Sequence, residues 1–127
     1  MNVDGGARGN PGPAAAGAVA TTPDGEELAS RGERIGNATN NVAEYRAMLL
    51  GLELARELGA NEVELVGDSE LVVKQLNGEY KVKKADLKPL WMEVRKGLMD
   101  FERWSVRHVR REQNEAADTL VNETLDG

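Results

Sequence analysis

MNVDGGARGNPGPAAAGAVATTPDGEELASRGERI, residues 1–35, is a series of short strand-like runs separated by turn chemistry. Met1–Gly6 reads as a strand entering a turn. Gly5-Gly6 and Gly9-Asn10-Pro11-Gly12-Pro13 are turn material, because glycine accepts positive φ while proline fixes φ and removes a donor. Ala14–Thr22 and Glu26–Ile35 read as two strands joined by a hairpin at Pro23-Asp24-Gly25. The chain therefore opens β-rich and antiparallel.

Beyond residue 35 the apolar period changes. Asn41 reads as the N-cap of a helix in which Val42, Tyr45, Met48, Leu49, Leu52 and Leu58 keep helical spacing, and Gly59 supplies the stop. Ala43, Ala47, Gly51 and Ala55 recur every four residues, a stripe small enough to let this helix lie close on a sheet. Glu62–Gly67 alternates like a strand with one wet face. A short helix over Ser69–Leu76 follows. The next helix, Asp86–Phe101, carries Leu87, Leu90, Trp91, Val94, Leu98 and Phe101 on one side and tolerates Pro89 in its first turn. Trp104–Val109 reads as a strand and Asn114–Leu125 as a closing helix. The order β-β-β-α-β-α-α-β-α predicts an α/β fold: a mixed five-stranded sheet, three antiparallel strands and then parallel ones, flanked by helices.

The 127 residues suit one domain spanning 1–127, and 40% hydrophobic with 30% charged residues is a globular composition. No apolar run approaches the ~20 residues that cross a bilayer. No membrane partner is therefore expected, and the chain reads as a cytoplasmic monomer. The lack of cysteine excludes disulfides, thiolate chemistry and a cysteine-based zinc site. The net charge of −6 argues against nucleic acid as a partner, since phosphate is bound mainly by Lys and Arg. Its distribution works the other way. Lys74, Lys81, Lys83, Lys84 and Lys88 share their stretch with only Glu79 and Asp86, and Arg107, Arg110 and Arg111 flank His108. For either cluster alone a solvated surface face is the better explanation, and the two together allow no more than a local footprint.

Four acids stand out by position: Asp4 at the end of the first strand, Glu44 in the first turn of the long helix, Asp68 at the end of the fourth strand, and Asp118 in the first turn of the last helix. Ligands of mixed sheets gather at strand ends and helix starts. Each acid also has a local explanation. Asn41-x-x-Glu44 forms a capping box, Asp68 is a good N-cap before Ser69-Glu70-Leu71, Asp118 suits a helix dipole, and Asp4-Gly5 suits a turn. Taken singly, Glu44 and Asp68 favour the local explanation and Asp4 and Asp118 leave both readings open, so composition and spacing alone reach no function.

The context of these acids carries a family resemblance. Val3-Asp4-Gly5-Gly6-Ala7-Arg8-Gly9-Asn10-Pro11-Gly12-Pro13, Thr39-Asn40-Asn41-x-Ala43-Glu44-Tyr45-x-Ala47, Gly67-Asp68-Ser69 and His108 through Asn114-Glu115-Ala116-Ala117-Asp118 resemble, in order, the successive signatures of type 1 ribonuclease H. The resemblance covers essentially the whole chain and implies the ribonuclease H-like fold. It further implies a metal-dependent endonuclease that hydrolyses the RNA strand of RNA–DNA hybrids to 5′-phosphate and 3′-hydroxyl ends. Asp4, Glu44, Asp68 and Asp118 would then be the catalytic metal ligands for two Mg²⁺ ions, with Mn²⁺ as substitute. By the same resemblance Asp4 bridges both ions, Glu44 and Asp68 complete one site, and Asp118 the other. His108 matches a loop histidine that aids product departure, with Arg111 as rival. Asn10, Asn40 and Asn41 match hybrid contacts, and Thr39 matches a position that holds a DNA phosphate.

Two departures from the family stand out. Glu70 replaces an uncharged amide near the RNA, and the segment between Gln75 and Leu87 is too short for the basic helix that grips the hybrid in several relatives. Lys81, Lys83 and Lys84 are its expected substitutes. A related 3′–5′ exonuclease needs Asp-x-Glu on the first strand, where this chain has Asp4-Gly5-Gly6. A nucleotide-binding glycine loop lacks its Gly-Lys-Ser/Thr. The remaining alternative is a catalytically weak hybrid-binding domain of the same fold.

Overall fold

Glycine and alanine at the centre of the sheet decide how closely the helices approach it. The computed structural model describes all 127 residues. Strands β1 (Asn2–Ala7), β2 (Gly12–Thr21) and β3 (Glu27–Ala38) form an antiparallel meander, and β4 (Glu62–Gly67) and β5 (Arg103–His108) extend it in parallel, in the order β3-β2-β1-β4-β5. Helices α1 (Asn40–Glu57), α2 (Glu70–Leu76), α3 (Lys88–Leu98) and α4 (Glu115–Asp126) flank the sheet. This is the mixed sheet expected from the order of elements.

On β2, Ala16, Ala18 and Ala20 join the main core with Tyr45, Met48 and Leu52 of α1. The alternate face belongs to α4: a Cβ at Gly17 would stand 3.2 Å from the Ala117 carbonyl oxygen and one at Gly6 3.7 Å from Val121. On β1, Gly5 faces α1 so closely that a Cβ there would collide with the Ala43 carbonyl. The small-residue stripe of α1 is the counterpart: Ala43, Ala47, Gly51 and Ala55 are all buried. Two helices thus sit close on opposite faces of β1 and β2.

Several boundaries differ from the sequence reading. Thr39, not Asn41, caps α1, its hydroxyl accepting from the Val42 N–H at 3.2 Å. β3 runs on to Ala38, because Gly36 at φ +93° and a register shift between Ala14 and Ala15 bend the pair without ending it. The third helix starts at Lys88, and a 3-10 turn over Arg111–Gln113 precedes α4. No helix is long and apolar enough to cross a membrane.

Gly5→Ala is expected to cost about 1–3 kcal/mol or more, the price of overpacking against backbone that cannot rotate away. Urea denaturation reads this as a lower midpoint at unchanged slope; an unaltered midpoint would show that α1 can back away from β1.

Candidate active site

Asp4 on β1, Glu44 on α1 and Asp68 after β4 meet at one end of the sheet. Each offers a carboxylate oxygen lying within 4.8 Å of the others. Asp4 and Glu44 are buried, at 6% and 7% exposure, while Asp68 is half-buried. Asp118, in the first turn of α4, completes the acidic wall of a cleft of about 540 Å³ that Gly6, Arg8, Asn40, Ser69 and Arg111 also line.

The local explanations for two of these acids do not hold. Glu44 closes no capping box: its Oε1 accepts from the Gly5 N–H at 2.7 Å, tying α1 to the strand that carries Asp4. Asp68 is not the cap of α2, because Ser69 accepts from the Val72 N–H at 3.4 Å and takes that role. Both carboxylates are therefore turned to the cleft rather than spent on helix ends. Burial is the first cause, and Asp68 the second, of an Asp4 carboxyl pushed up from 3.8 to about 7. Burial and the neighbouring Asp4 likewise hold Glu44 well above the usual carboxylate range. Clustered hard oxygen donors that resist carrying their charges together fit a divalent cation such as Mg²⁺ or Mn²⁺, which would relieve the repulsion. Asp4, Glu44 and Asp68 are placed to hold it.

The other expected residues divide. Asn10, Thr39, Asn40 and Asn41 come together, with Lys84, Asp86 and Leu87, around a second cleft of about 220 Å³. Asn10 Oδ1 accepts from the Asn40 N–H at 3.0 Å, and Asn40 Oδ1 from the Ala7 N–H at 2.8 Å, so both asparagines also build the loop. Lys81 and Lys83 are exposed but do not join this cleft. His108 is exposed at the end of β5, outside the lining of the acidic cleft. Arg111 lies in the cleft instead, its Nη2 3.5 Å from Asp118 Oδ1. Arg8, which drew no separate notice in the sequence, lines the same cleft and pairs with Asp126 at 2.6 Å. Residues 77–87 hold no helix, consistent with a short form that lacks the basic protrusion.

The raised Asp4 carboxyl sets a pH dependence. Between pH ~4 and ~7 the metal-free folded protein keeps a proton that the unfolded chain has released, so stability falls as pH rises through that window and levels off above it. Glu44 acts in the same direction. In EDTA, Tm should therefore drop between pH 5 and pH 7.5. Asp4→Asn should flatten the drop and raise Tm near neutrality by several degrees, since ~1 kcal/mol moves Tm by about 3–6 °C at this size. Identical pH profiles for the variant and the parent would show that these acids do not repel one another.

A family profile described as "Reverse transcriptase-like" matches residues 2–124. The chain is 49% identical over 123 residues to ribonuclease HI of Halobacterium salinarum, covering 97% of this chain and 62% of that protein, less than two thirds of its length. The crystal structure of RNase H1 from the same archaeon superposes with a TM-score of 0.96 at 48% identity, over 98% of this chain and 95% of that one. LC11-RNase H1, solved in complex with an RNA/DNA hybrid, gives a TM-score of 0.93 at 43% identity over 98% and 94% of the two chains. With the profile spanning nearly its full length and the same fold at close to half identity, the chain belongs to the ribonuclease H family, in its type 1 branch.

Proposed function

We propose that this chain is an endonuclease that hydrolyses the RNA strand of RNA–DNA hybrids, leaving 5′-phosphate and 3′-hydroxyl ends, with two Mg²⁺ ions, or Mn²⁺ in their place, held by Asp4, Glu44, Asp68 and Asp118. The observation that carries this reading is the convergence of Asp4, Glu44 and Asp68 within 4.8 Å in a chain of this family. The hybrid bound to the related LC11 enzyme supports the substrate. Bound divalent cations supply charge for the phosphorane-like transition state and lower the pKa of water. The protein's part is to hold the carboxylates close together, and the bound cations would keep them ionised against their raised pKa. The Gly5 N–H fixes one oxygen of Glu44, and the sheet fixes Asp4 beside Asp68.

Product departure needs a cationic or proton-donating group near the cleaved phosphate. The geometry favours Arg111, already in the cleft, over His108, which lies outside its lining. Substrate binding draws on the smaller cleft. Neither Asn10 nor Asn40 spends its amide nitrogen on the loop, so both remain donors toward phosphate or 2′-hydroxyl groups. Lys84 adds charge beside them.

The test is a labelled RNA–DNA hybrid incubated with Mg²⁺ and with EDTA, beside single-stranded and duplex RNA. Internal cuts of the hybrid's RNA strand should need the metal, and Asp68→Asn should lower kcat by about 10²-fold or more, the cost of losing electrostatic stabilisation of a transition state. Stepwise shortening from the 3′ end, or binding of hybrid without cleavage, would overturn the reading.

Two substitution sets probe the surrounding residues. Arg111→Ala is expected to lower kcat by about tenfold and His108→Ala by less, both within the range of a single acid–base or phosphate-binding group. The reverse order would return the role to the histidine. Lys84→Ala should raise KM and reduce the salt slope of hybrid binding by about one, whereas Lys81→Ala and Lys83→Ala should leave that slope unchanged.

A further inference from the structure

Asn114 is the one uncharged polar side chain in the protein that is buried to 1% exposure, and it sits where α4 begins. An asparagine at that position ordinarily caps its own helix. This one does not: α4 has no side-chain cap. Its Nδ2 instead donates to the Val3 carbonyl at 2.9 Å, and its Oδ1 accepts from Asn2 Nδ2 at 3.0 Å. Both partners belong to β1, and Val3 is the residue before Asp4. The Asn114 backbone carbonyl in turn accepts the N–H of Asp118 at 3.1 Å. A single residue thus links the strand bearing Asp4 to the helical turn bearing Asp118.

The packing around it shows why such a link is needed. α4 lies on Gly6, Gly17 and Gly32, which give close contact but no side chains to interlock with the helix. A glycine surface resists separation far better than it resists sliding or rotation. Directional bonds must fix the helix along its axis. At its C-terminal end Arg34 donates to the Thr124 and Leu125 carbonyls at 3.1 and 3.2 Å, from the distant edge strand. At the end that carries Asp118, the bonds to β1 come from Asn114.

We infer that Asn114 is a positioning residue, which sets the Asp118 carboxylate against Asp4 by pinning the first turn of α4 to β1. Its side chain bonds to Val3 and Asn2 and to none of the four acids. It acts by holding Asp118, which neighbours Asp4 without joining the Asp4–Glu44–Asp68 set, at a fixed distance from those acids. This rests on the proposed metal-dependent hydrolysis, because only a cation shared with Asp118 makes that distance matter.

The test compares Asn114→Ala and Asn2→Ala with Val94→Ala, a core truncation in α3 remote from the cleft. Mn²⁺ is titrated into each metal-free protein while Tm is followed, and kcat and KM on a hybrid are measured with Mg²⁺. Asn114→Ala should need at least about fivefold more Mn²⁺ for half of the thermal stabilisation. It should also lose about tenfold or more in kcat with KM within twofold, the pattern of a misplaced group that acts only in the transition state. Asn2→Ala, which frees only the Oδ1 side of the link, should shift both readouts in the same direction by less. Val94→Ala should lower Tm and leave both unchanged. If Asn114→Ala behaves like Val94→Ala, Asn114 is a structural residue only and the inference is wrong. Should Asn114→Ala not fold, Asn2→Ala decides, and an unchanged Mn²⁺ midpoint and kcat overturn it. A parent protein that neither responds to Mn²⁺ nor cleaves hybrid removes the functional reading and this inference together; a responsive parent with an unaffected Asn114→Ala removes the inference alone.

Discussion

Close approach of two helices to one strand is the constraint on which the site depends. Asp4 sits on β1 between α1 on one face and α4 on the other. A carboxylate from each helix can reach it only because Gly5 admits α1 and Gly6 and Gly17 admit α4. Side chains of ordinary size at these positions would hold each helix several ångströms farther off. The alanines of β2 serve the same end, burying area on both faces of a strand with little volume. The site is thus made by what the sheet centre lacks.

The approach has an electrostatic consequence. Bringing Asp4 beside Asp68 and Glu44 in a half-dry corner raises the cost of their charges, which appears as the raised Asp4 and Glu44 carboxyls. The fold bears that cost through contacts elsewhere: the 21-residue core between α1, α2, α3 and the sheet, and Arg34 and Arg8, which clamp α4. Site and core pull in opposite directions, as expected where a preorganised cluster of like charges awaits a counter-ion.

The order of elements and the convergence of the acids were legible in the sequence, the first from the change in hydrophobic period after residue 35, the second from the ordered motifs. The roles of their neighbours were not. Asn41 and Thr39 are equally good caps by residue type, and only the backbone path out of β3 selects Thr39. Asp68 and Ser69 compete in the same way, and the serine wins because the aspartate points into the cleft. Asn114 read as an ordinary helix start, since a long-range bond to the Val3 carbonyl leaves no trace in local spacing. His108 ends β5 and Arg111 follows it closely enough to compete for one role, and the 3-10 turn after the strand brings the arginine round to Asp118.

On the proposed function, the asparagines of the smaller cleft would serve fold and ligand at once. A side-chain amide has an acceptor at one end and two donors at the other. Asn10 and Asn40 turn their acceptors inward, to the N–H groups of Asn40 and Ala7, and so brace the β1–β2 loop against the start of α1. That orientation leaves the amide donors without a partner in the loop, available to the anionic backbone that the proposed function would bring there. An aspartate could accept the same inward bonds but would present negative charge to the phosphates; a serine would brace less far. On the function proposed for this chain of net charge −6, these neutral donors, with Lys84 beside them, would meet phosphates without a large basic patch.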